Sequence, residues 1–138
     1  MQLNNPYAQY KEQSLSTLAP GEVLVKLFDE MLKQCRLSVI GVERGDLAAA
    51  NEAFMKAQTI VSTLASSLDM RYPISQSLRD MYIFWAQQLM QANLRKDTEI
   101  VQDLLPLMKD LRDSFDEAEK INRMKQVRVS AAGGRAAV

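Results

Sequence analysis

The run Met81-Tyr82-Ile83-Phe84-Trp85-Ala86 limits the possible folds of this chain more than any other feature. It sits inside a helical pattern. Helical residues advance about 100° each, so a continuous apolar run cannot share one face. With Trp85 set at zero, Ile74, Leu78, Met81, Tyr82, Leu89 and Ala92 fall within about 60° of it. Ile83, Met90 and Leu94 fall at roughly 140–180°, on the opposite side. The first stripe packs inward. The second calls for a helix buried all round or for a surface on which another chain docks.

Composition narrows the classes. A chain of 138 residues is one domain, able to bury about two-thirds of its unfolded surface. Cations and acids balance at 17 each, so no basic field points to nucleic acid. No apolar stretch approaches the ~20 residues of a membrane span. Met1-Gln2-Leu3-Asn4-Asn5-Pro6 has neither the basic region nor the apolar core of a secretory signal. The single cysteine, Cys35, has no internal disulfide partner, which fits a reducing, cytoplasmic setting. Its place on a core face reads as a small hydrophobe.

Histidine is absent. That removes the commonest general base, the Ser–His and Cys–His pairs and the imidazole ligands of most zinc and di-iron sites. An all-helical catalyst using Arg and Glu would bury charges on inner faces, and the inner rows below carry none. The chain therefore reads as a non-enzyme with no cofactor and no metal.

Four helical segments follow an irregular arm, residues 1–18, which carries Tyr7 and Tyr10. The first is expected from Pro20 to about Arg44, with Leu24, Leu27, Phe28, Met31, Cys35 and Val42 inward. Asp46 caps the second, Leu47 to Leu68, whose inward row is Leu47, Ala50, Phe54, Ala57, Val61, Leu64 and Leu68. Ser75 is the expected cap of the third and Asp97 of the fourth. In the fourth, Ile100, Leu104, Leu107, Met108, Leu111, Phe115 and Ala118 point inward, and Pro106 should bend the helix without breaking it. The cluster Asp110, Arg112, Asp113, Asp116, Glu117, Glu119 and Lys120 reads as a solvated face. Past residue 121 the pattern dissolves, and a flexible basic tail is expected over 122–138. The expected fold is all-α: an antiparallel up-down-up-down four-helix bundle spanning 19–121, with an irregular N-terminal arm and a disordered C-terminal tail.

The second helix reinforces the second stripe. From Ala57 to Leu68 there is no charged residue, and Met55, Thr59, Ser62 and Ser66 point outward. Small uncharged side chains let another backbone approach closely. If the second and third helices are neighbours, this floor and a wall of Ile83, Met90 and Leu94, with Phe84 at the seam, form one shallow groove. Such a groove suits an amphipathic helix or an extended apolar segment. The plain alternatives are an ordinary exposed face and a homodimer interface.

Several segments, in order, resemble the flagellar secretion chaperone family FliS. They are Asn5-Pro6-Tyr7-Ala8-Gln9-Tyr10, Pro20-Gly21-Glu22-Val23-Leu24 and Leu27-Phe28-Asp29, then Lys56-Ala57-Gln58-Thr59-Ile60, Leu68-Asp69, Ala92-Asn93 and Leu111-Arg112 with Phe115. The resemblance covers about residues 5–117. Ala19, Phe28, Glu30 and Phe115 depart from its usual serine, tyrosine, glycine and tryptophan. The loss of a serine cap should weaken the first helix by about 1 kcal/mol. The resemblance implies a cytoplasmic chaperone that binds the disordered C-terminal segment of flagellin, prevents its premature polymerisation and supports type III export. Tyr7 and Tyr10 would belong to a mobile arm that covers an apolar surface until client binds. The export apparatus and an anti-sigma factor stay open as further partners, as does weak homo-oligomerisation. The sequence has no GxxxxGK[ST] loop for a nucleotide, so release would follow handover rather than hydrolysis.

Overall fold

Three breaks in the apolar periodicity cut the chain into four helices. A computed structural model describes residues 19–136, with side chains over 21–131. It comprises α1 (Ala19–Glu43), α2 (Leu47–Ser66), α3 (Ile74–Arg95) and α4 (Thr98–Ala136). At the first break Gly45 takes a positive φ of 74°, and the Asp46 carboxylate accepts from the Ala49 N–H at 3.1 Å. This is the expected cap, satisfying one of the donors that a helix start leaves free. At the third break Lys96 adopts the left-handed region, and the Asp97 N–H closes back on the Ala92 carbonyl at 2.9 Å. Asp97 then accepts from the Glu99 N–H at 2.9 Å, as expected of the α4 cap.

The second break departs from the expectation. α3 begins at Ile74, behind Pro73, with no side-chain cap. Ser75 instead donates to the Asp69 carbonyl at 2.6 Å and ties down the loop.

The helices form a ring in which α1 packs on α2 and α4, and α3 packs on α2 and α4, with no backbone contact across the diagonals. This is the expected four-helix bundle. Its centre is Phe28, whose ring lies 6.2 Å from Trp85 at 85°, 6.4 Å from Tyr82 and 5.5 Å from Phe115. The edge-on contact with Trp85 and the tilted one with Tyr82 bind the diagonal helices α1 and α3 through side chains. The Trp85 indole N–H finds no acceptor among the described residues.

Several residues expected inside are not. Leu47 and Ile74 are 52% and 63% exposed, because each is the first residue of its helix and lies at the rim of its neighbours. Met81, Leu107 and Ala118 are exposed on the flanks where α3 meets α4, the loosest seam of the ring. Val25, Leu32, Ala53 and Val101 are buried in positions outside the expected rows. Glu119, expected to be solvated, is buried. Its Oε2 accepts from Arg123 Nη2 at 2.6 Å, and the same nitrogen reaches Glu22 of α1 at 2.8 Å. Gly21 makes room for it, since a Cβ there would sit 2.5 Å from Glu119 Cγ.

α4 passes through Pro106 without interruption and continues past residue 121 to Ala136. The inward apolar pattern ends where expected, but the helix does not. Lys, Met, Gln and Arg are good helix formers, and extending a packed helix needs no new nucleus. The arm with Tyr7 and Tyr10, and residues 137–138, lie outside the described residues.

Candidate docking surface

The outer face of α2 is uncharged from Ala57 to Ser66, and three of its hydroxyls bond back to their own helix. Thr59 Oγ1 donates to the Met55 carbonyl at 3.0 Å and Thr63 Oγ1 to the Thr59 carbonyl at 3.0 Å. Ser66 Oγ likewise donates to the Thr63 carbonyl at 3.2 Å. With their donors used, these side chains show mostly methyl and methylene surface, a cheaper face to desolvate than free hydroxyls. A shallow depression of about 440 Å³ follows, lined by Met55, Gln58, Thr59, Ser62, Thr63 and Ser66.

Ile83, Met90 and Leu94 are all exposed, Leu94 to 75%. The second stripe is therefore a surface and not a buried flank. Asn93 Nδ2 donates to Asn51 Oδ1 at 3.0 Å, which fixes the side and the register at which α3 meets α2. Antiparallel packing from that pair sets Met55 level with Met90 and Ser62 level with Ile83. The two faces lie side by side, but no α3 side chain lines the α2 depression. They form a broad shallow strip rather than a walled groove.

Phe84 is exposed but lies elsewhere. Asn93 marks the α2 flank of α3, and Phe84 falls on the other flank, roughly 180° away. It stands on the α4 side with Met81, across from Leu107. This second apolar strip has Ile100, Leu111 and Phe115 half-buried beneath it. Sequence reasoning placed Met81 and Leu107 in the core and so missed it.

A third feature was also missed. Where the 67–73 loop joins α2 to α3, Leu64, Leu68, Tyr72, Ile74 and Leu78 meet Leu24 of α1 and Phe115 of α4 around a socket of about 180 Å³. It opens at the end of the bundle where α1 begins. The signal was weak, because four separate segments supply its wall.

Cys35 offers no nucleophile. It is fully buried with its Sγ 3.9 Å from Met108 Sδ, and burial pushes the thiol up to about 12, against a lesser pull from Arg36. Among the described residues no group of three or more acids and cysteines is placed to hold a metal ion. No described helix is long and apolar enough to cross a membrane.

Comparison with known proteins gives a single answer. The family model for flagellar protein FliS matches residues 3–122. The chain is 32% identical over 123 residues to the flagellar secretion chaperone FliS of Bacillus subtilis (strain 168), covering 89% of this chain and 92% of that one. It is 27% identical over 115 residues to the protein of the same name from Salmonella typhimurium, covering 80% and 85%. The Vibrio cholerae counterpart is 22% identical over 108 residues, covering 77% and 79%.

Proposed function

The chain belongs to the FliS family of flagellar proteins, and from that premise we propose that it binds the disordered C-terminal segment of flagellin in the cytoplasm and holds it unpolymerised until export. Its role is that of a chaperone in flagellar secretion. The observation that carries the finer reading is the exposed strip formed by Met55, Thr59, Ser62 and Ser66 on α2 beside Ile83, Met90 and Leu94 on α3. A client that is disordered when free loses chain entropy on binding, so it needs a long apolar track rather than one deep pocket. The strip beside Phe84, Met81 and Leu107 extends that track to a second side of the bundle. Tyr7 and Tyr10, in the arm that precedes α1 in sequence, would cover apolar surface until client arrives.

Titration calorimetry with the last ~50 residues of flagellin, enough for several helical turns, tests this reading. The expected result is a 1:1 complex with a strongly negative heat-capacity change. Ile83→Lys with Met90→Lys should weaken it by about a hundredfold, with circular dichroism and melting unchanged. A folded monomer that gives no heat with flagellin would end the flagellin reading. A tight dimer buried at Ile83 and Met90 would replace it with a structural homodimer.

A further inference from the structure

Beyond residue 119 the character of the chain changes. All 17 acids and twelve of the 17 cations lie before residue 120, whereas the last 19 residues carry five cations and no acid. A chain with no net charge is thus split into an acidic body and a basic end. The structure makes that end a helix, the run of α4 past the bundle to Ala136. Its side chains sort by face. Ile121, Met124 and Val127 fall within about 120° of arc, with Arg128 among them and Lys125 beside them. Asn122, Gln126 and Ser130 occupy the opposite side, where Val129 is the one exposed apolar residue.

All three apolar residues are exposed, Val127 to 63%. Arg123 and Lys120 are paired with acids of the bundle, which anchors the base of the extension. Among the described residues neither Lys125 nor Arg128 is paired with an acid, and no acid follows Glu119 in sequence.

We propose that the free end of α4 is a peripheral membrane contact, laying Ile121, Met124 and Val127 against an anionic lipid surface while Lys125 and Arg128 engage its phosphate headgroups. Cations near a helix C-terminus do complement its dipole, but that effect is confined to the last turn. It accounts neither for Lys125 and Arg128, two to three turns earlier, nor for the apolar stripe. A protein groove is the less suited occupant. Protein interfaces are most often anchored by large aromatic side chains set in pockets, and this face has no aromatic residue. A fluid anionic surface needs no pocket. It attracts each nearby Lys or Arg and accepts modest apolar side chains at the headgroup level, with the stem of Arg128 snorkelling along them. The acidic body is repelled by the same surface, so the molecule would approach it tail first. A secretion chaperone meets its exit at a membrane, and this contact would concentrate it there. The inference goes beyond client binding, and its test contains no client.

The test is co-sedimentation of the full chain with vesicles of phosphatidylcholine alone and with vesicles enriched in phosphatidylglycerol. Binding is expected only to the anionic vesicles, weakening as salt rises. Lys125→Glu with Arg128→Glu should lower it by about tenfold or more. Val127→Asp should also lower it, with helicity and melting unchanged. Lys33→Glu with Arg36→Glu, an equal charge reversal on α1, should leave most of the binding in place. Three results would each overturn the proposal: no anionic-vesicle binding at low salt, equal loss in the α1 variant, or a protein dimer joined through the extension in place of lipid binding.

Discussion

Two seams of this bundle are built in opposite ways. Between α1 and α2 the backbones nearly touch, since a Cβ on Gly41 would sit 2.8 Å from the Ala50 amide nitrogen and 3.0 Å from its Cβ. Small residues and a short, capped turn hold that seam shut. Between α3 and α4 the facing residues are large, with Met81, Phe84 and Leu107 left exposed. The helices on that side touch least of any neighbouring pair. Closeness here follows from side-chain size and not from hydrophobicity, for the looser seam is the more apolar. The tight seam holds the fold, and the loose one leaves apolar surface for a partner to cover.

The largest effect should come from prising the tight seam apart. Gly41→Leu has no room against Ala50 and should cost about 3 kcal/mol or more, read as a lowered urea midpoint. A cost under about 0.5 kcal/mol, the range of ordinary surface changes, would mean that the seam relaxes freely and the contrast is void. The loose seam should respond the other way. Met81→Lys with Phe84→Lys should leave the midpoint within about 1 kcal/mol of the parent, because both side chains are already exposed. It should nevertheless weaken flagellin binding by about tenfold. Unchanged affinity would confine the client to the α2–α3 strip.

Much of the bundle was legible because it rests on local rules. Asp46 and Asp97 cap where their side chains and spacing say they should, and the row Phe54, Ala57, Val61, Leu64 is buried as its period requires. The outward side of α2 and α3 was legible for the same reason. A wheel gives the direction opposite the core without knowing any neighbour. It does not say which neighbour stands on the left and which on the right. Phe84 was therefore assigned to the wrong seam, and the Asn51–Asn93 bond that settles it joins residues 42 positions apart. Glu119 was misread for a related reason, since only the missing side chain at Gly21 lets α4 lie close enough to bury it. The extension of α4 past 121 was missed because helix there depends on continuity with a packed segment, not on an apolar row.

The smallest effect asks whether the loose seam keeps the core dry. Cys35 of α1 lies in the core against Met108 of α4, with its thiol raised from an ordinary 9.0 to about 12 by burial. In the native state the thiol then keeps its proton above pH 9, while the unfolded chain loses it. The unfolded state binds fewer protons in that window, so stability is full below pH 9 and falls as pH rises toward 12. At pH 10 the loss from this one group should be about 1 kcal/mol. Urea unfolding of the parent and of Cys35→Ala across pH 8 to 10 isolates it, because the lysines and tyrosines titrate alike in both. The parent curve should fall more steeply by that amount. Parallel curves would mean that water reaches the thiol in the folded protein, and that the looser packing of the bundle is open to solvent down to the core.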